Sequence, residues 1–175
     1  MPSRSDFLRR ALPGLGTVFA LGLALGLAGC AVSKPASLTD ANQASAYGVV
    51  AVKSAYGMDE TVMRVKQDIA AKGLMFFQEI DEQKLAADAG IATQPSTLLV
   101  FGNPALGTQF ITANPQAGID WPVRLLVYQD SDGQVWAEYS DFAYIARRHD
   151  ITSRDPQFMK AAEVIASITD SVAAK

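Results

Sequence analysis

The sequence predicts an α+β domain: a mixed or antiparallel sheet of about five strands with helices packed on it. Three observations lead there. Segments with helical apolar spacing alternate with β-branched runs in the first half of the domain. The last two strand segments are joined as a hairpin instead of through a helix. The chain is 49% hydrophobic and only 19% charged, which a packed core requires and a disordered chain lacks. Its 175 residues suffice to bury a core in one domain.

The elements follow in order. Tyr47 to Ser54 is a β-branched run and reads as a strand. Met58 to Lys72 carries Val62, Val65 and Ile69 at helical spacing, with Asp59 and Glu60 at the end where the helix dipole favours them. Gly73 stands where a left-handed C-cap would end that helix. Leu74 to Ile80 is the second strand, and Asp81 caps a short helix through Ala89 before Gly90. Thr97 to Phe101 is apolar enough to be a central strand. Gly102 to Pro122 is rich in breakers, with room for a short helix over Ala105 to Thr112. Val123 to Gln129 and Gln134 to Tyr139 form a hairpin around Asp130-Ser131-Asp132-Gly133. Asp141 caps a helix to Arg148. Asp155-Pro156 reads as N-cap and first residue of a last helix that reaches about Ala173.

Ahead of this domain lies a different kind of sequence. Arg4, Arg9 and Arg10 precede an uncharged stretch from Ala11 to Gly29, with a firm apolar run from Val18 to Ala28. That run is shorter than the roughly 20 apolar residues of a spanning helix, and it reads as an export signal over residues 1–29. Arg9-Arg10 leaves the twin-arginine route open beside general secretion. The signal ends in Leu27-Ala28-Gly29-Cys30, which resembles the lipobox of bacterial lipoproteins. That resemblance implies cleavage before Cys30 and acylation of Cys30; an uncleaved anchor with a chance cysteine is the alternative. Ala31 in place of an Asp resembles sorting to the outer membrane, on its inner leaflet facing the periplasm. Residues 30–46 are small and polar and read as a tether. The domain proper is expected over residues 47–175.

Composition excludes several functions. One Cys cannot form an internal disulfide or a multi-thiolate metal site, and one His cannot build a multi-His centre. A net charge of −3 and a pI near 5.1 argue against nucleic acid as a partner. No cofactor and no metal are expected. Glu82 and His149 are the weak candidates for metal ligation, and no spacing joins them.

A series of short motifs carries a family resemblance. It runs through Phe101-Gly102-Asn103-Pro104, Gly107-Thr108, Asn114-Pro115 with Gly118, Asp120 and Pro122, then Leu126-Val127-Tyr128. It continues through Asp132-Gly133 with Val135-Trp136, Tyr139 with Asp141, and Arg148-His149. Upstream, Asp59-Glu60-Thr61, Lys72-Gly73-Leu74 and Ile80-Asp81 belong to it. The ordered set, from about Tyr47 to Ala173, resembles the domain-of-unknown-function family 302. The resemblance implies a compact α+β domain and a homodimer; it implies no activity. The resemblance implies that many relatives have His directly after the Ile-Asp pair, where this chain has Glu82.

Candidate site residues each have a bland reading beside a functional one. Asn103 and Thr108 follow a strand end, where ligands often bind, and equally shape a tight turn. His149 suits the C-terminus of the helix before it, could pair with Asp150, and could face a ligand. Tyr128, Tyr139 and Tyr144 are expected to serve packing. Asp130 and Asp132 suit a hairpin turn far better than a calcium loop. Together the sequence leads to a lipid-anchored binding or interaction module with Asn103, Thr108, Asp120, Tyr128, Tyr139 and His149 around one concave region. Its partner would be a small ligand or an envelope protein. An enzyme using His149 as general acid/base with Glu82 or Asp120, and a purely structural envelope protein, are the alternatives.

Overall fold

The structure is a computed structural model that describes residues 47–175. The expected signal and tether, with Cys30, lie outside the described residues. Strands β1 (Val49–Lys53), β2 (Met75–Asp81), β3 (Ser96–Gly102), β4 (Val123–Gln129) and β5 (Val135–Ser140) form one sheet in the order β1-β5-β4-β3-β2. Every neighbouring pair is antiparallel. The chain alternates strands and helices early, yet no strand pair is parallel. β1 and β4 are kept apart by β5, so the hairpin partner, not the sequence neighbour, fills the gap.

Among the described residues five α-helices accompany the sheet: α1 (Met58–Ala71), α2 (Glu82–Asp88), α3 (Pro104–Ala113), α4 (Phe142–Arg148) and α5 (Asp155–Asp170). α1 starts at Met58, and Lys72 and Gly73 end it with Gly73 at φ 64°. α5 differs from expectation. Arg154 holds the N-cap position, so Asp155 and Pro156 are the first two helical residues. Asp155 still favours the dipole there, and proline loses nothing where no intrahelical N–H bond is due. α5 also stops at Asp170, because the chain turns back to β1: Ala173 bridges Ser54, and the Ala174 N–H donates to the Lys53 carbonyl at 2.9 Å. The breaker-rich segment carries a further element, a 3-10 helix over Pro115–Asp120, which no apolar period announced.

The core lies between α1, α3, α4, α5 and one face of the sheet. Alternate strand residues (Val50 and Val52, Leu99 and Phe101, Leu125 and Val127, Ala137 and Tyr139) are buried against Val65, Ile69, Phe110, Phe158 and Ile165. Leu99, Leu125, Val127 and Ala137 are fully inaccessible. β3 is interior, as its apolar run implies, but the middle position belongs to β4. The opposite face carries Leu98, Leu126, Tyr128, Trp136 and Glu138, all half-buried. Edge strand β2 is mostly exposed, and Met75, Phe76 and Phe77 are 52%, 39% and 45% accessible.

Candidate functional site

The breaker-rich segment carries the expected short helix as α3 and contributes to a cavity. Asn103 caps α3, its Oδ1 accepting from the Leu106 N–H at 3.2 Å, and Pro104 occupies the first turn. Asn114 caps the 3-10 helix in the same way at 3.0 Å. The chain then delivers Trp121, whose ring lies against the backbone of Gly102 and Gly107. A β-carbon on Gly107 would stand 1.8 Å from Trp121 Cε2, and one on Gly102 would stand 2.5 Å from its Cη2. Trp121 also meets Phe110 edge-on at 6.5 Å, and Phe110 stacks on Phe158 at 4.2 Å. The Trp121 ring walls a cavity of about 220 Å³, lined also by Leu74, Phe101, Leu106, Val164 and Ile165. Lys72, Asn103 and Lys160 supply its polar atoms. The lysines are paired on their own helices, Lys72 with Asp68 at 2.9 Å and Lys160 with Glu163 at 3.6 Å.

A second constellation lies one residue before Trp121. The Asp120 carboxylate, whose side chain is 7% exposed, is 2.6 Å from His149 Nε2 and accepts from Arg148 Nη1 at 3.2 Å. Arg124 stands 3.5 Å from the same carboxylate. His149 is the C-cap of α4, as its sequence position suggested, and the Asn114 side-chain amide donates to its carbonyl at 2.8 Å. Its acidic partner is Asp120, not Asp150. Asp150 turns the chain with φ 50°, in the region that Asp tolerates better than most residues.

The six residues expected around one concavity therefore fall into separate places. Asp120 and His149 meet. Asn103 lines the cavity beneath Trp121, which neither Asp120 nor His149 lines. Thr108 is exposed on α3 and bonds the Pro104 carbonyl at 2.7 Å. Tyr139 is buried on the helix-covered face, and Tyr128 is on the other, because β4 and β5 register sets Tyr128 opposite Trp136 and Tyr139 opposite Leu125. Glu82 accepts from Ser96 Oγ at 2.6 Å, and His149 is tied to Asp120. Among the described residues no group of three or more His, Cys, Asp or Glu could hold a metal. Asp130 and Asp132 make a turn: Asp130 Oδ1 accepts the N–H groups of Asp132 and Gln134, and its Oδ2 accepts the Trp136 indole N–H at 2.8 Å. The Trp136 bond first, then the backbone bond from Gln134, holds the Asp130 carboxyl below its ordinary range.

Sequence reasoning missed two things. One is the glycine seat for Trp121, which no local pattern encodes. The other is Glu138, a charge alternating with buried Ala137 and Tyr139, whose position was a usable signal. The Tyr128 hydroxyl donates to Glu138 Oε2 at 3.2 Å. Burial, then the Glu138 charge, pushes the Tyr128 phenol up to about 12. Burial likewise raises the Glu138 carboxyl, against the opposing Tyr128 bond. A carboxyl raised in the fold favours folding while protonated and loses that contribution as pH rises through its raised value. Glu138→Gln should therefore gain stability relative to the parent at pH 7 compared with pH 4. Urea midpoints at both pH values check this, and an equal difference at both would refute it.

Comparison with known proteins now adds the family. Residues 50–174 match the model described as "Domain of unknown function DUF302". A crystal structure of an uncharacterized conserved DUF302 protein from Bacillus stearothermophilus superposes with a TM-score of 0.66 at 18% identity, over 73% of this chain and 99% of that one. That likeness concerns the fold. The chain is 35% identical over 104 residues to proteins named fluoride-specific ion channel FluC 1 in Brucella suis and Brucella abortus. The match takes in 59% of this chain but only 41% and 38% of those relatives, so the chain spans about two fifths of their length. No helix among the described residues is long and apolar enough to cross a membrane. The motif series, the antiparallel α+β fold and the family match over nearly all of the described residues agree: the chain belongs to the DUF302 family.

Proposed function

We propose that this chain is a lipid-anchored envelope protein whose domain binds a small amphiphile beneath Trp121. The cavity itself carries the reading: it is apolar on most sides and has the Lys72, Asn103 and Lys160 side chains among its lining. Ligand sites are commonly of this kind, an apolar cleft with a few placed polar groups. At about 220 Å³ it suits a small molecule with an apolar body and an anionic or acceptor head. The anchor in this reading is acylated Cys30 on the inner leaflet of the outer membrane, with residues 31–46 as tether. Several acyl chains on one residue give stable attachment, at about 0.8 kcal/mol per buried CH₂. A second copy is the expected protein partner. The exposed Met75, Phe76 and Phe77 on edge strand β2 support this, since an apolar sheet edge left bare invites pairing.

One experiment with two arms tests the reading. Cys30→Ser should move the chain from the membrane fraction to the soluble one and abolish incorporation of labelled palmitate. Octanoate should bind the purified chain, octylammonium should bind more weakly, and Val164→Phe, which fills the cavity, should remove octanoate binding. Octanoate binding that survives Val164→Phe would overturn the cavity assignment. Membrane retention of Cys30→Ser would overturn the anchor. The Brucella relatives favour a second reading, in which the domain serves a membrane transport protein. In that case the purified chain retains a membrane protein and no octanoate-competable small molecule.

A further inference from the structure

The opposite face of the sheet holds a second concavity, which shares no lining residue with the first. It measures about 310 Å³ and has Ser96, Leu126, Tyr128, Gln129 and Glu138 as its strand residues and Thr93, Gln94 and Pro95 from the α2–β3 connection. That connection is fastened in place. The Gln129 N–H donates to the Pro95 carbonyl at 3.0 Å, and Ser96 Oγ donates to Glu82 at 2.6 Å. The floor is set by register: Leu126 lies opposite Glu138, and Tyr128 lies opposite Trp136 and Ser96.

Glu138 is the unusual group in this cavity. Its carboxylate is half-buried among apolar neighbours, with the Tyr128 hydroxyl as hydrogen-bond partner. The cations on this face serve other groups. Arg124 donates to the Ile119 carbonyl and stands 3.5 Å from Asp120. Lys53, opposite Trp136, acts on Asp130. No ion pair reaches Glu138 among the described residues, and burial raises its carboxyl with no cation to offset it. A carboxylate taken part-way out of water costs free energy unless a charge or donor compensates it. An aromatic ring beside it adds attraction for a cation.

We propose that this cavity binds an organic cation: a primary ammonium on a short apolar stem, with the ammonium on Glu138 and the Tyr128 oxygen and the stem on Leu126. Shape and charge both select it. The floor offers one carboxylate and the Tyr128 hydroxyl to a compact donor, with Leu126 as its apolar strand residue. An alcohol of the same length lacks the charge, and a carboxylate of the same length meets Glu138 with like sign.

Calorimetric titration of the full chain in detergent micelles tests this with n-butylammonium, n-butanol and butyrate as probes. Butylammonium should bind, and the other two should not. Glu138→Gln should raise its Kd by about tenfold or more, as loss of a charge-assisted contact does. Tyr128→Phe should weaken it several-fold. A urea transition of unchanged cooperativity shows that each variant is folded. Octanoate binding should be untouched by Glu138→Gln, so failure here is separable from failure of the amphiphile site. Equal binding of butanol and butylammonium, or an unchanged Kd in Glu138→Gln, would overturn the proposal. So would a Glu138→Gln chain that differs only in oligomeric mass, which would assign the carboxylate to a contact between copies.

Discussion

Gly107→Ala should destabilise the domain by about 3 kcal/mol, the upper end for overpacking a tight site. Helix propensity alone predicts the reverse, since alanine inside a helix is favoured over glycine by up to ~1 kcal/mol. The clash decides the sign. The added methyl would stand 1.8 Å from Trp121 Cε2 and 2.2 Å from Cζ2, far inside van der Waals contact. The ring has little room to retreat, because it also rests on Gly102 and meets Phe110 edge-on. Gly118→Ala is the control: its β-carbon meets nothing within 4 Å, so it should be close to neutral. Equilibrium urea unfolding of both variants checks the contrast. Gly107→Ala combined with Trp121→Leu should recover part of the loss, because the obstacle shrinks. If Gly107→Ala unfolds at the same midpoint as Gly118→Ala, the seat of Trp121 is not what fixes glycine there.

Asp120→Ala should cost about 3 kcal/mol, at the upper end for leaving a buried hydrogen-bonding group without its partner. Its partners do not contribute equally. Arg124 and Arg148 are each 46% exposed, and pairs open to solvent are worth ~0–1 kcal/mol each. The His149 side chain is 5% exposed and 2.6 Å from the carboxylate, so its loss of a partner dominates. A double-mutant cycle with His149→Ala should show a coupling of about 1–3 kcal/mol, as groups in one hydrogen-bonded network do. Arg148→Ala should cost under about 1 kcal/mol. If Asp120→Ala is no worse than Arg148→Ala, the His149 contact is not holding the 3-10 helix to α4. The constellation is a structural tie between Asp120 and the end of α4. A general acid/base role for His149 would have to operate from a ring already bound to a buried carboxylate.

Much of the fold was legible because its signals are local. Gly73 at φ 64° ends α1 where its position indicated. Asp81 and Asp141 cap α2 and α4, each accepting a backbone N–H two or three residues on. The hairpin from Val123 to Ser140 follows from two alternating strands and an Asp/Gly turn. The N-cap of α5 slipped by one residue because Asp155-Pro156 suits the first turn as well as the cap. The site was less legible. Asn103, Thr108 and Tyr139 carry satisfying local roles, in a cap, a helix back-bond and the core. Of the three only Asn103 also lines the cavity beneath Trp121.

By itself the sequence determined the element types, the α+β class and the family, because apolar period, caps and turn residues act over a few positions. The tertiary structure decided which strand is central, which acid meets His149, why Gly102 and Gly107 lack side chains, and which face receives Glu138. Those depend on contacts between positions far apart in the chain: Asp120 with His149, Trp121 with Gly102 and Gly107, Ser54 with Ala173. No local pattern specifies such pairs. They are selected only when the sheet and its helices close on one core and each buried group must find its partner.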